Sequence, residues 1–139
     1  MLVSTHTMIA ATVAIKTGNP YIYLPFAGAD HFIFDAFPHF GGKKVGKNFK
    51  LFTALDAVIG ILLFLILAHY TKFSVLILFF VCLLAGWPDL VMLYQKLTDT
   101  KRLPKFKAFH RDIQKHESPG GIIFEIGIIL SCLLLIFAF

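Results

Sequence analysis

Charged residues and cysteines are both scarce in this chain. Asp, Glu, Lys and Arg make up 15% of the 139 residues, 58% are hydrophobic, and the mean hydropathy is +0.78. Soluble domains carry about 25% charged residues, so this composition excludes that class and indicates an integral membrane protein. Cys82 and Cys132 both lie within apolar runs, which favours packing over a disulfide or a zinc pair.

No cleavable signal, internal repeat or low-complexity linker is evident in the sequence. The first apolar run, Leu2 to Ile15, has no basic stretch before it and no small-residue cleavage site, so we expect it to be retained. No soluble-looking stretch interleaves basic with aromatic residues, which leaves a nucleic-acid partner without support. We expect a single transmembrane domain over residues 1–139, with membrane lipids as its surroundings and partners.

Apolar segments recur along the whole chain and predict an all-α, polytopic membrane helical bundle. The later segments are each about 20 residues long, enough to cross roughly 30 Å of hydrocarbon. The first is shorter, so we expect it to be tilted or sheltered, and its full crossing stays open. The predicted spans, about five in number, are residues 2–15, 21–40, 51–70, 73–94 and 120–139.

The loop 95–118 is predicted to contain a short helix. Pro104 suits a first helical position, and Phe106, Phe109 and Ile113 then recur at intervals of three and four residues. This stripe predicts an amphipathic helix that lies in the membrane interface with its lysines outward.

Basic residues set the expected orientation. Of the 13, 11 fall on two loops that a five-span topology places on one side: Lys43, Lys44, Lys47, Lys50, Lys96, Lys101, Arg102, Lys105, Lys107, Arg111 and Lys115. By the positive-inside rule this side is cytoplasmic, which puts the N-terminus inside and the C-terminus outside a multi-pass inner-membrane protein. The net charge of +5 then reflects topology and attraction to anionic headgroups.

Ionisable residues inside the apolar segments are the candidate functional residues, because a charge at membrane depth is costly. Five of the eight acidic residues lie inside predicted spans, namely Asp30, Asp35, Asp56, Asp89 and Glu125. His31 and Asp35 are four residues apart and therefore share one face of a helix. Beside Asp89, Pro88 removes a helical hydrogen bond, which is tolerated where the helix lines a wet cavity.

These residues are predicted to lie at similar depths. If the first two segments fold back on each other, His6 and His31 each lie about 12 residues, or roughly 19 Å, from the turn. If the next hairpin turns near Thr71, Asp56 and Asp89 lie about 15 and 18 residues from it, or roughly 22 to 27 Å. Residues distant in sequence therefore converge on a layer near the cytoplasmic side.

A mixture of imidazole and carboxylate donors suits zinc or another first-row divalent metal better than calcium or magnesium. The candidate metal ligands are His6, His31, Asp35, Asp89 and His110. A catalytic zinc keeps about three protein ligands and a position for water, whose pKa it lowers toward neutrality. Asp56 is the candidate catalytic residue, as a general base or by orienting a ligand.

Each of these polar residues also has a structural explanation, an interhelical hydrogen bond that holds the bundle together. That explanation fits Asp56 as well, and we favour it for Asp30, His39 and Glu125. Asp30 points about 100° away from His31 on a helix, so we expect it to be peripheral.

Four short motifs resemble those of a known family. They are His6, the His-x-x-x-Asp-x-x-Pro-His pattern within Asp30 to His39, Pro88-Asp89, and the Phe-His-x-x-Ile-Gln pattern of Phe109 to Gln114. Together they resemble small bacterial membrane-bound metal-dependent hydrolases, the LexA-binding inner-membrane hydrolase family. The resemblance implies a helical membrane domain with a metal site made from His6, His31, Asp35 and Asp89. The family's Pro-Asp-x-Asp-His cluster is not completed here, since Leu90-Val91-Met92 follows Asp89.

We therefore expect a membrane-embedded metal-dependent hydrolase that acts at the cytoplasmic leaflet on a phosphoester or lipid-derived substrate. The alternative is a non-enzymatic membrane protein, either a transporter subunit, a proton relay or an assembly factor, whose buried polar residues relay protons or join helices. Small residues in the first and fifth segments would also permit a homo-oligomer.

Overall fold

The computed structural model describes residues 1–41, 48–98, 103–114 and 116–138. Over these residues the elements in chain order are α1 (Val3–Thr17), α2 (Pro20–Phe34), β1 (His39–Phe40), α3 (Phe49–Tyr70), α4 (Val75–Thr98), α5 (Pro104–Ile113), β2 (Glu117–Ser118) and α6 (Gly121–Ala138). The prediction of a helical bundle is confirmed, and β1 with β2 adds a two-residue parallel pairing. The basic residues Lys43, Lys44, Lys47, Lys101, Arg102 and Lys115 lie outside the described residues.

Three helices among the described residues are long and apolar enough to cross a membrane. They cover residues 50–70, 75–98 and 121–138, and only 17% to 28% of their most apolar windows is buried. Their apolar side chains therefore face outward, as expected of a protein whose surroundings are lipid tails. This confirms the prediction of a membrane protein with transmembrane helices.

The first two helices are too short to be counted with these spans. Helices α1 and α2 have 15 residues each, or about 22 Å of helix, against a hydrocarbon layer of roughly 30 Å. The predicted span 21–40 ends early, at Phe34, because Pro38 disfavours helical backbone in the residue before it. Five full spans are therefore not shown.

Helix α1 lies at the centre of the bundle, in contact with α2, α3, α4 and α6. Nine of its 15 residues are buried. Ala10, Ala11 and Ala14 are completely buried, and their small side chains allow the neighbouring helices to approach closely. The expectation that this short apolar segment is sheltered by the others is confirmed.

The β1 and β2 pairing fixes the chain after α2 against the start of α6. The backbone N–H of His39 donates to the carbonyl of His116 at 3.4 Å, and that of Gly41 to the carbonyl of Ser118 at 3.3 Å. Gly121 is buried beneath this pairing, and a Cβ atom added there would overlap the backbone carbonyl of His39. Only glycine fits at this position.

We predict that Gly121→Ala destabilises the protein by about 2 kcal/mol or more, because the added methyl group meets backbone that cannot rotate away. Gly127→Ala on the same helix is the matched control, since a Cβ there meets nothing within 4 Å. It should be neutral or stabilising by up to about 1 kcal/mol. Thermal unfolding of both variants in detergent measures the difference, and equal midpoints would contradict the prediction.

Candidate metal centre

Two buried carboxylates hold the first turn of α1, which positions His6. Asp56 on α3 accepts the backbone N–H of Val3 at 2.8 Å and that of Ser4 at 3.1 Å, one on each oxygen. The residue at the N-cap position, Leu2, has no side chain that could accept these bonds. Asp56 therefore caps α1 from a neighbouring helix and also compensates the positive end of its dipole.

Glu125 on α6 completes the same arrangement from the other side. Its Oε2 accepts the backbone N–H of Leu2 at 2.8 Å and the hydroxyl of Thr5 at 2.7 Å. Its Oε1 accepts the backbone N–H of Phe40 at 2.7 Å. The structural explanation that we favoured for Glu125 fits these contacts, since this one side chain joins α6, α1 and β1.

Three buried histidines, His6, His31 and His110, lie close together at this turn. The rings of His6 and His31 stack with centroids 4.1 Å apart, and those of His31 and His110 stack at 5.1 Å. The Nε2 atoms of His31 and His110 are 2.9 Å apart. The equal depth predicted for His6 and His31 agrees with the first of these contacts.

Two carboxylates lie among the histidine nitrogens. Asp35 Oδ1 is 3.2 Å from His6 Nε2, while its Oδ2 is 3.2 Å from His31 Nε2 and 3.7 Å from His110 Nε2. Asp89 Oδ1 is 3.7 Å from both His31 Nε2 and His110 Nε2. All five residues proposed as ligands from the sequence therefore come together, from α1, from α2 and its C-cap, and from α4 and α5.

The five residues form two overlapping groups with the spacing of a metal site, His6 with His31 and Asp35, and His31 with Asp89 and His110. Among the facing atoms of His31, His110, Asp35 and Asp89, the measured separations run from 2.9 to 3.7 Å. Four ligands placed about 2.0–2.1 Å from a tetrahedral zinc lie roughly 3.3–3.4 Å from one another. The donors therefore fit a divalent metal in both chemistry and spacing.

Helix α5 brings His110 to this group. It begins at Pro104, as predicted, and its apolar stripe contacts the neighbouring helices through ring pairs. Phe106 lies 5.3 Å from Trp87 of α4, and Phe109 lies 5.5 Å from Phe32 of α2, between ring centroids. Burial lowers the pKa of His110, against the opposing effect of the Asp89 carboxylate. A lowered pKa favours the neutral imidazole, which is the form that binds metals.

Asp89 is the accessible member of the group. Its side chain is 24% exposed, whereas those of His6, His31 and Asp35 are at most 1% exposed. Helix α4 continues through Pro88, which is itself buried. A small polar molecule would therefore reach the centre from the Asp89 side.

Two contacts of Asp35 were missed by the sequence analysis. Gln114 donates to Asp35 Oδ2 at 2.9 Å, and the amino group of Met1 contacts Asp35 Oδ1. Gln114 follows His110 by four residues, the helical spacing that also relates His31 to Asp35, and this spacing was the available signal. The amino group carried no signal in the sequence.

The remaining polar residues lie outside the two groups. Asp56 belongs to neither, so its catalytic role stays a prediction, whereas its contacts are those of a cap. His39 is buried, with its Nδ1 2.8 Å from the carbonyl of Phe37. Asp30, which we expected to be peripheral, is instead fully buried, with Oδ2 3.8 Å from His6 Nδ1.

A comparison with known proteins found no matching family model, no matching curated protein and no matching solved structure. The family resemblance therefore rests on the short motifs alone.

We predict that Asp56→Ala lowers the free energy of unfolding by about 2–3 kcal/mol, since two backbone N–H groups lose a charged acceptor. Asp112→Ala, at an exposed carboxylate on α5, is the control and should change stability by less than about 0.5 kcal/mol. Thermal unfolding in detergent measures both. A general base at this position would in addition abolish turnover in variant protein that remains folded, whereas a cap alone would not.

Proposed function

We propose that this protein is a membrane-embedded hydrolase that depends on a divalent metal, with zinc the most suitable ion. The observation that carries the proposal is that three imidazoles and two carboxylates from four helices form two overlapping groups that share His31, with only Asp89 partly exposed. Surface acidic clusters are common without any ion, whereas buried carboxylates are paired, hydrogen-bonded or bound to a metal.

Charge balance supports a cation in this centre. Asp30 and Asp35 are fully buried at opposite edges of the His6 ring, and the Asp89 side chain is 24% exposed. The amino group of Met1 pairs with Asp35 and offsets one of the three carboxylate charges. Carboxylates at such depth are costly unless they are paired, hydrogen-bonded or bound to a metal. A divalent cation would offset their charge with ligands that are already in place.

The chain's own residues have distinct parts in this proposal. His6, His31, Asp35, Asp89 and His110 would hold the metal, with His31 common to both groups. Either group offers three protein ligands, which leaves a coordination position for water or substrate. Gln114 orients the Asp35 carboxylate through its amide. When bound, the metal supplies Lewis-acid polarisation of the substrate and lowers the pKa of water.

The residues around the centre support a particular class of substrate. Helix α5, which carries His110, also presents Lys105, Lys107 and Arg111 to the outside. An exposed cationic face beside a buried metal centre suits an anionic phosphoester or a lipid-derived substrate with a charged headgroup. The wide apolar surfaces of α3, α4 and α6 support a site that lies next to lipid.

The orientation proposed from the basic loops, with the N-terminus inside and the C-terminus outside the inner membrane, is compatible with three crossing helices. Helices α1 and α2 form a short antiparallel pair that returns to the side on which it began, because His6 meets His31 and Met1 meets Asp35. Helices α3, α4 and α6 then cross the membrane three times, so the chain ends on the opposite side. The centre would lie toward the cytoplasmic leaflet.

We predict that the detergent-purified protein holds a divalent metal in stoichiometric amount and that His31→Ala together with Asp35→Ala removes it. His31 is shared by both groups, and Asp35 lies 3.2 Å from it, so their loss leaves too few ligands in either group. Elemental analysis of the variants makes the measurement. His69→Ala is the matched control, since that histidine is exposed at the far end of α3.

Two outcomes would overturn the metal proposal, namely wild-type protein without stoichiometric metal, or metal that survives in the double variant. The first would favour the non-enzymatic alternative, in which the buried histidines and carboxylates relay protons or join helices. That alternative predicts proton flux in liposomes that Asp56→Asn abolishes, with no dependence on metal.

We predict metal-dependent phosphoester hydrolysis on vesicles of phosphatidylglycerol that exceeds hydrolysis on phosphatidylcholine vesicles. Asp89→Asn should abolish it, whereas changing Lys105, Lys107 and Arg111 to Gln should weaken the affinity of the reconstituted protein for the anionic headgroup by about fivefold per residue, at about 1 kcal/mol each. The maximal rate of phosphate-ester release and the KM for phosphatidylglycerol measure the two effects separately. Equal turnover on both vesicles would contradict the expected preference for an anionic headgroup.

A further inference from the structure

Asp30 is the most unusual polar residue in the protein. Its carboxylate is completely buried on α2, and neither oxygen has a hydrogen-bond partner among the described residues. Burying a carboxylate without a hydrogen-bond partner destabilises the folded protein far more than leaving that carboxylate at the surface. We therefore expect Asp30 to act on a neighbouring group.

The group that Asp30 faces is the imidazole of His6. Asp30 Oδ2 lies 3.8 Å from His6 Nδ1, and this nitrogen also has no hydrogen-bond partner among the described residues. On the opposite edge of the ring, His6 Nε2 lies 3.2 Å from Asp35 Oδ1. The ring of His6 is thus bracketed by two carboxylates, one outside the metal centre and one inside it.

The two carboxylates are alternative acceptors for the proton of His6. A neutral imidazole has one N–H donor and one lone pair, so either Nε2–H donates to Asp35 Oδ1 or Nδ1–H is directed at Asp30. In the second case the lone pair of Nε2 faces Asp35 Oδ1, which the amino group of Met1 also contacts. Nε2 is then presented to a metal bound by Asp35.

We propose that Asp30 is the positioning residue of His6: it receives the Nδ1–H of His6 and thereby turns Nε2 toward the metal centre. The proposal rests on the metal centre proposed above and adds to it a residue outside both ligand groups. The present separation exceeds a hydrogen bond of about 2.9 Å by less than about 1 Å, which a small movement of either side chain closes. Carboxylates that hold ligand histidines in this way raise metal affinity by about 10- to 100-fold.

A double-mutant cycle on metal affinity tests this role. Zn²⁺ affinity is measured by chelator competition in the full-length, detergent-solubilised wild type, in Asp30→Asn, in His6→Ala and in the double variant. Asp30→Asn should weaken Zn²⁺ binding by about 10- to 100-fold in the wild-type background. In the His6→Ala background it should have almost no further effect, because Asp30 acts through His6.

The control separates this role from a simple effect of charge or packing. Asp30→Asn is nearly isosteric and removes an unpaired buried charge, so the variant is expected to fold. An equal loss of affinity in both backgrounds would show that Asp30 acts by its charge alone and would overturn the proposal. Asp112→Asn, which removes one negative charge at an exposed carboxylate, is the matched control and should leave Zn²⁺ affinity unchanged in both backgrounds.

A second measurement does not depend on metal binding. Nitrogen-15 NMR of labelled histidine reports which nitrogen of His6 is protonated, and Asp30→Asn should reduce the Nδ1–H form. An unchanged His6 signal would overturn the proposal even if Zn²⁺ binds. If the wild type binds no Zn²⁺ but the His6 signal shifts, the metal centre fails while the pairing of Asp30 with His6 stands.

Discussion

The first turn of α1 depends on hydrogen bonds that the helix cannot supply for itself. A helix that begins inside a bundle has backbone N–H groups without internal acceptors, and side chains of neighbouring helices must accept them. Asp56 and Glu125 accept these groups from two different helices. Because His6 belongs to this same turn, the bonds that fix the start of α1 also fix the position of one edge of the candidate metal centre.

Asp35 lies at the opposite edge of the candidate metal centre. Its two oxygens face different partners, His6 on one side and His31 with Gln114 on the other. Asp35 is the C-cap of α2 and keeps helical backbone angles, so its side chain lies on the same face as His31. From there its carboxylate reaches His6 of α1 and Gln114, which follows α5.

The sequence was sufficient for the residues of the centre but not for the geometry around them. The five ligand candidates followed from the cost of ionisable groups in apolar segments and from the shared depth of His6 and His31. Apolar length predicted a crossing helix over residues 21–40, yet α2 ends at Phe34, while the first segment is short, as expected, and ends at Gly18. The side to which each carboxylate turns depends on packing between helices, so capping by Asp56 and the burial of Asp30 could not be read from spacing.

The position of Asp30 shows how packing between helices decides the side to which a carboxylate turns. A helical wheel centred on His31 places Asp30 about 100° away and so assigns it to another surface. In the bundle that other surface is covered by α1, and the residue of α1 at this level is His6. Helix α2 therefore places His31 between His6 of α1 and His110 of α5, and directs Asp30 toward the other edge of His6. Helix α2 thus contributes both the candidate ligand His31 and Asp30, the group that orients the ligand His6. This arrangement requires α1 and α2 to pack closely, which the small residues of α1 allow.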